Sequence, residues 1–326
     1  MQLGPYTFDK PLILAPMAGV SDRVLRALCR ARGAAYAPSE MTAANPQLRA
    51  TAQTQRRLDL SADDSPRIVQ IAGADPQQMA TAARAAVAAG AEIIDINMGC
   101  PAKRVCNRLA GSALLKDEPL VAQILRTVVN AVAVPVTLKT RTGWDASHRN
   151  AVQIAQLAED LGIQALTLHG RTRECAYQGE AEYDTIAAVK AAVRIPVIAN
   201  GDITSPDKAR AVLVHTQADG LMIGRAAQGD PWIFARINAF LIDGTRLAGP
   251  TEAALHATLR EHLAGLHELY GEPAGVGIAR KHAGWYFTRW FANGTALRAL
   301  FNTLGSATAQ LAFIDRQQNF QHGEAA

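Results

Sequence analysis

The stretch EIIDINMGCPAK, Glu92–Lys103, decides the fold. It begins as an apolar run through Ile93, Ile94 and Ile96 and ends in a Gly99-Cys100-Pro101 corner. Asn97 stands three residues before the thiol and Lys103 three after it. A buried strand that stops abruptly at polar, reactive side chains is how a parallel α/β barrel brings chemistry to its mouth.

Outward from this segment, similar runs occur at Leu12–Ala18, Ala35–Met41, Arg67–Ala72, Pro135–Thr140, Ala165–His169, Pro196–Asn200 and Gly220–Ile223. They are near-continuous in Val, Ile, Leu and Ala, the pattern of strands covered on both faces. Helical patterns lie between them, as at Asp75–Ala89, Arg149–Leu161 and Tyr183–Val193. Ser205-Pro206-Asp207 supplies a cap, a Pro at the first helical position and an acid at the positive helix end. Asp75-Pro76 and Ser21-Asp22 read the same way, and Gly33, Gly90 and Gly162 fall where helices should stop. Strict alternation predicts parallel β/α units, and eight of them predict a (β/α)8 TIM barrel. The alternative, a doubly wound open sheet, lacks a G-x-G-x-x-G turn after any strand. After Gly249-Pro250 only helical stretches follow, Thr251–Tyr270, Val276–Phe291 and about two more. The expected organisation is an α/β barrel over residues 1–244 and an all-helical domain over 245–326.

Composition bounds the rest. Apolar residues make up 49% and charged residues 19% of the 326, which excludes a disordered chain. A net charge of +4 permits a polyanionic partner without demanding one. Cys29, Cys100, Cys106 and Cys175 form neither a disulfide framework nor a metal-binding spacing, so no metal is expected. With no signal-peptide pattern and no long apolar span, the expected setting is the cytoplasm, without a membrane.

The strand ends collect residues that hydrophobic patterning does not explain: Pro16-Met17-Ala18-Gly19, Ser39-Glu40, Gln70, Asn97 with Cys100, Lys139 with Arg141, His169 with Arg171, Asn200-Gly201-Asp202 and Gly224-Arg225. Active sites of such barrels gather there, and the last two loops form their usual phosphate site. Lys139 and Arg141, two apart, share one strand face and can face negative charge. A thiol of ordinary pKa is mostly protonated at neutral pH, so Cys100 can give up a proton. His169 can hydrogen-bond a cofactor carbonyl or a substrate oxygen. Cys29, Asp95 and Asp145 read as structural, and Cys106 and Cys175 carry no assigned role.

These motifs together resemble the tRNA-dihydrouridine synthase family, and their order suits its bacterial B (DusB-like) subgroup. The residues that carry the likeness are APMAGV at Ala15–Val20, SEM at Ser39–Met41, DINMGCPAK at Asp95–Lys103 and LKTRTGW at Leu138–Trp144. LHGRT at Leu168–Thr172, ANGDI at Ala199–Ile203, MIGRAAQGDPWIF at Met222–Phe234 and ARKH at Ala279–His282 complete it. The resemblance implies an oxidoreductase that holds FMN, takes electrons from NADPH and reduces the 5,6 double bond of a D-loop uridine in tRNA. It implies that Pro16, Met17 and Ala18 line the flavin ring, that Gln70, Lys139 and His169 contact it, and that Asn200, Gly201, Asp202, Gly224 and Arg225 hold its phosphate end. Cys100 is then the proton donor, Asn97 and Arg141 contact substrate, the helical domain binds tRNA, and the protein acts as a monomer. Two other classes compete. An FMN barrel acting on free pyrimidines would not require the helical tail, and a non-catalytic RNA-binding protein would not require Cys100 and Lys139.

Overall fold

A computed structural model describes residues 1–323, positions 10, 50, 62 and 108 excepted. The chain opens in a short antiparallel hairpin, β1 (Gln2–Leu3) and β2 (Tyr6–Thr7). Eight strands follow: β3 (Leu12–Leu14), β4 (Thr42–Ala43), β5 (Ile68–Ala72), β6 (Ile93–Met98), β7 (Val136–Arg141), β8 (Ala165–His169), β9 (Val197–Asn200) and β10 (Gly220–Ile223). They pair in parallel in the order β3-β10-β9-β8-β7-β6-β5-β4. The ends of that order meet through a parallel bridge between Ile13 and Tyr36, with the Leu14 amide donating to the Tyr36 carbonyl at 3.2 Å. The sheet thus curls into a (β/α)8 barrel.

The second strand departs from the expected Ala35–Met41. That segment contributes the bridge at Tyr36 and one bond from the Ser39 amide to the Ile68 carbonyl, and regular pairing begins only at Thr42. Pro38 is the physical reason: it has no N–H for a ladder.

The barrel helices are α1 (Arg23–Arg30), α2 (Pro46–Arg49), α3 (Ala52–Leu58), α4 (Pro76–Ala88), α5 (Lys103–Cys106), α6 (Glu118–Val129), α7 (Ala151–Asp160), α8 (Asp184–Ala192) and α9 (Pro206–Thr216). The caps read from sequence form: Asp22, Asp75 and Ser205 accept from amides in the first turns of α1, α4 and α9. The hairpin, which carries no periodicity to read, packs Leu3 with Ile13, Tyr36, Ile68, Ile93, Ala165, Ile198 and Met222. That cluster fills the end of the barrel opposite the strand termini that carry the polar residues.

By its contacts the chain divides into Met1–Gly224 and Arg225–Ala326. The second unit holds α10 (Ile233–Asp243), α11 (Glu252–Tyr270), α12 (Ala274–Trp290), α13 (Gly294–Asn302) and α14 (Ala307–Gly323). The division falls ahead of the 244/245 boundary read from composition, because the segment before α10 is tied to α12. Buried Asp230 pairs with Arg236 at 2.5 Å and with Arg289 at 3.2 Å, and Trp290 Nε1 donates to the Gly229 carbonyl at 2.8 Å. Trp232 meets Tyr286 and Trp290 edge-on. Phe287, Phe301 and Phe313 form the aromatic centre of the helical unit.

Candidate active site

Strand register builds the site. Asn97 lies opposite Lys139 and Lys139 opposite Thr167; one row further on, Arg141 lies opposite His169, His169 opposite Asn200 and Asn200 opposite Met222. Side chains alternate along a strand, so Asp95 and Asn97 share one face of β6, and Lys139 and Arg141 share one face of β7. A Gln, an Asn, a Lys, an Arg and a His are thereby brought to one end of the barrel.

The Cys100 corner is held on every side. Asn97 Oδ1 accepts from the Gly99 amide at 3.2 Å and the Cys100 amide at 3.0 Å, while Asn97 Nδ2 donates to Gln70 Oε1 at 2.9 Å. Arg141 Nε donates to the Gly99 carbonyl at 2.7 Å, and its Nη1 donates to the carbonyls of Thr172 and Ala176 at 2.8 Å each. From below, the Ser112 amide and hydroxyl both donate to the Cys100 carbonyl, at 3.2 and 3.0 Å. Gly111, at φ +63°, leaves room: a Cβ there would lie 2.7 Å from the Cys100 carbonyl oxygen. Sequence reading missed Gly111 and Ser112, which carry no motif signal of their own. Cys100 itself is half-buried, and its charged form would interact favourably with both Lys139 and Arg141. Cys106 points its sulfur at the Cys100 carbonyl and at Ser112, Cys29 is buried in α1, and Cys175 is exposed.

Lys139 is the central cation. Its Nζ donates to Asn200 Oδ1 at 3.1 Å, and Asn200 Nδ2 donates to the Met222 carbonyl at 2.7 Å, so the Asn200 amide is fixed with its oxygen toward the ammonium. Desolvation, with the Arg141 charge second, brings Lys139 down to about 8. Arg171 is buried and bidentate to Asp202 at 3.0 and 2.6 Å, and it also reaches the Gln178 and Gly179 carbonyls. Asp202 also accepts from the Ala181 amide at 2.8 Å. Gly201 has φ +127°, and a Cβ there would meet Ala181 at 2.6 Å and His169 at 3.2 Å.

Pro16 and Met17 are half-buried and Ala18 is exposed, an apolar shelf beyond β3. The Ser39-Glu40 pair braces that shelf. Glu40 accepts from the Val20 amide at 3.0 Å and from Arg57 Nε at 2.6 Å, and Ser39 Oγ accepts from the Gln70 amide. Gly224 closes the barrel unit. Arg225 opens the helical one, where it lines a cavity of about 330 Å³ with Gln228, Trp285, Thr288 and Arg289. No cluster of three or more His, Cys, Asp or Glu suited to a metal occurs among the described residues. No helix among them is long and apolar enough to cross a membrane.

A parallel barrel whose strand ends carry an anchored thiol and a buried cation is the architecture of an enzyme. Residues 13–322 match the family described as Dihydrouridine synthase (Dus), and the chain belongs to that family. It is 55% identical to tRNA-dihydrouridine synthase B of Pseudomonas putida, over 98% of this chain and 96% of that protein. The figures for the protein of the same name from Pseudomonas syringae pv. tomato are 57%, 96% and 93%. For that from Vibrio cholerae they are 56%, 95% and 96%.

Proposed function

We propose that this protein reduces the 5,6 double bond of a D-loop uridine in tRNA to dihydrouridine, with Cys100 as the proton donor. The observation that carries the reading is the Cys100 corner, pinned by Asn97, Arg141 and Ser112 next to the Lys139 ammonium.

The residues present fit FMN. Lys139 makes one hydrogen bond, to Asn200, and an ammonium has three donors. The remaining donors suit the oxygen- and nitrogen-rich edge of a flavin. The half-exposed shelf of Pro16, Met17 and Ala18 suits its ring, with Gln70 and His169 as further contacts. Gly201, at φ +127°, makes the turn from which backbone amides of Asn200, Gly201, Asp202 and Gly224 can approach a phosphate, with Arg225 as the expected charge. When bound, FMN reduced by NADPH supplies hydride to uracil C6.

The chain's own residues do the rest. Lys139, with Arg141 beside it, offsets the negative charge of the reducing group. The Cys100 thiol gives its proton to uracil C5, and the Asn97 and Arg141 bonds fix the backbone that aims it. The tRNA base is drawn out of its loop, at a cost of a few kcal/mol. Lys281, 5.7 Å over the Trp285 ring, gives the helical unit a cation beside an aromatic face for RNA phosphates and bases. The expected setting is the cytoplasm and the expected assembly a monomer.

The test is Cys100→Ala, purified with its flavin and given NADPH and unmodified tRNA. Flavin retention with dihydrouridine formation lowered at least about a hundredfold is expected, the scale of one lost general acid. Undiminished turnover would remove Cys100 from the mechanism. A protein that binds no flavin at all would remove the whole reading.

A further inference from the structure

Asp95 takes no part in the reaction above, yet it is buried and accepts two hydrogen bonds inside the barrel. Gln70 Nε2 donates to Asp95 Oδ2 at 2.7 Å, and Thr137 Oγ1 donates to Asp95 Oδ1 at 2.7 Å. Beyond Gln70 the connection runs on: Asn97 Nδ2 donates to Gln70 Oε1, and Asn97 Oδ1 accepts from the Gly99 and Cys100 amides. Burial raises the Asp95 carboxyl above its ordinary value, opposed by the hydrogen bonds from Thr137 and Gln70 and by the Lys139 charge, and Tyr36 is the other titratable group that faces it.

Both Asp95 oxygens accept in this arrangement, so Gln70 turns its NH2 to Asp95 and its oxygen to Asn97. Asn97 must then turn its NH2 to Gln70 and its oxygen to the corner. The two side-chain amides are held in one sense from both ends of the row, by Asp95 at one and by the Gly99 and Cys100 amides at the other. The reversed sense would face Asn97 NH2 against two backbone N–H groups, leaving buried donors unpaired.

The geometry points to Asp95 as a positioning residue for Cys100, acting through the Gln70–Asn97 amide relay. The inference rests on Cys100 being the proton donor, which the test below separates from the relay. The functional surroundings of Cys100 then extend a full layer deeper into the barrel than the strand-end residues.

Two variants test it, Gln70→Glu and the isosteric exchange Asp95→Asn/Gln70→Glu, each as flavin-loaded full-length protein. Two quantities are read from about pH 6 to about pH 9, the interval in which a shared carboxyl proton is lost. One is the iodoacetamide alkylation rate of Cys100 by peptide mass mapping, with exposed Cys175 as internal reference. The other is dihydrouridine formation on unmodified tRNA. In Gln70→Glu two carboxylates must share one proton. As pH rises the proton leaves, the row is repelled apart, Cys100 alkylation rises about tenfold relative to Cys175, and turnover falls in step. In the exchange variant the new amide at position 95 donates to the new carboxylate at position 70 and accepts from Thr137, while Asn97 keeps its sense. Cys100 alkylation relative to Cys175 should return to within about twofold of wild type at every pH, a scale of a few tenths of one hydrogen bond, and the pH-dependent fall in turnover seen in Gln70→Glu should disappear whatever the absolute rate. A double variant no better than Gln70→Glu, or a Gln70→Glu indistinguishable from wild type, overturns the inference. Should Gln70→Glu not fold, Asp95→Asn carries the comparison. It gives Gln70 a neutral and therefore weaker acceptor and obliges the Thr137 hydroxyl to accept in place of donating, so the exchange variant should lie closer to wild type in Cys100 alkylation, and the opposite order overturns the inference. Restored Cys100 protection without dihydrouridine formation in any protein, wild type included, would sink the proposed reaction and leave the positioning role standing.

Discussion

Lys139 sits where burial and chemistry pull in opposite directions. Its pKa falls from 10.5 in an ordinary setting to about 8 in the fold, so the unfolded chain holds the proton more tightly. Folding is therefore penalised below pH 8, and the penalty fades as pH rises from about 8 toward 10.5. In the flavin-free protein, the urea midpoint of wild type should gain on that of Lys139→Met across this interval. A difference that stays flat would mean that the ammonium is solvated and not buried. At this scale the sequence was informative. A Lys, an Arg, a Cys and a His at the ends of apolar runs mark a site, because burying them without purpose is costly. The individual tasks were less legible. Asn97 and Arg141 read as substrate contacts, and their side chains also hold the Cys100 corner. Asp95 read as structural, yet it ends the row that leads to the thiol.

Among the elements, the corner after β6 depends on the short turn that carries Gly111 and Ser112. Gly111→Ala would put a methyl 2.7 Å from the Cys100 carbonyl oxygen and 2.9 Å from Val105 Cγ1, at a φ of +63°. A left-handed alanine costs about 1–2 kcal/mol before any clash. Turnover should fall at least about tenfold, with flavin absorbance retained. Loss of flavin together with activity would place the damage in the barrel as a whole. Nothing local announces Gly111 and Ser112, since a Gly-Ser pair reads as an ordinary turn. The helix caps at Asp22, Asp75 and Ser205 were legible because capping is a contact between near neighbours in sequence. The second strand was not, because Pro38 interrupts pairing within the Ala35–Met41 run.

For the whole molecule, the proposed RNA surface gives a salt dependence. Affinity for unmodified tRNA should fall linearly in log–log form with salt, and Lys281→Ala should reduce that slope by about 1, for the phosphate no longer neutralised. An unchanged slope would remove Lys281 from the interface. The division after Gly224 also bears on truncation. A chain ending near Pro250 would keep Asp230 and Trp232 but lack Arg289, Tyr286 and Trp290, so it should aggregate or melt at a lower Tm than the full chain. Equal stability by calorimetry would contradict that packing. The sequence by itself determined that parallel strands alternate with helices and which reactive side chains stand at the strand ends, because periodicity, caps and strand ends are local properties. Only the tertiary structure decided which of those side chains face one another. Gln70 and Asp95 are 25 residues apart and meet through the register of paired strands, while Lys139 and Asn200 are 61 apart and come within hydrogen-bond distance across β8 in the curled sheet.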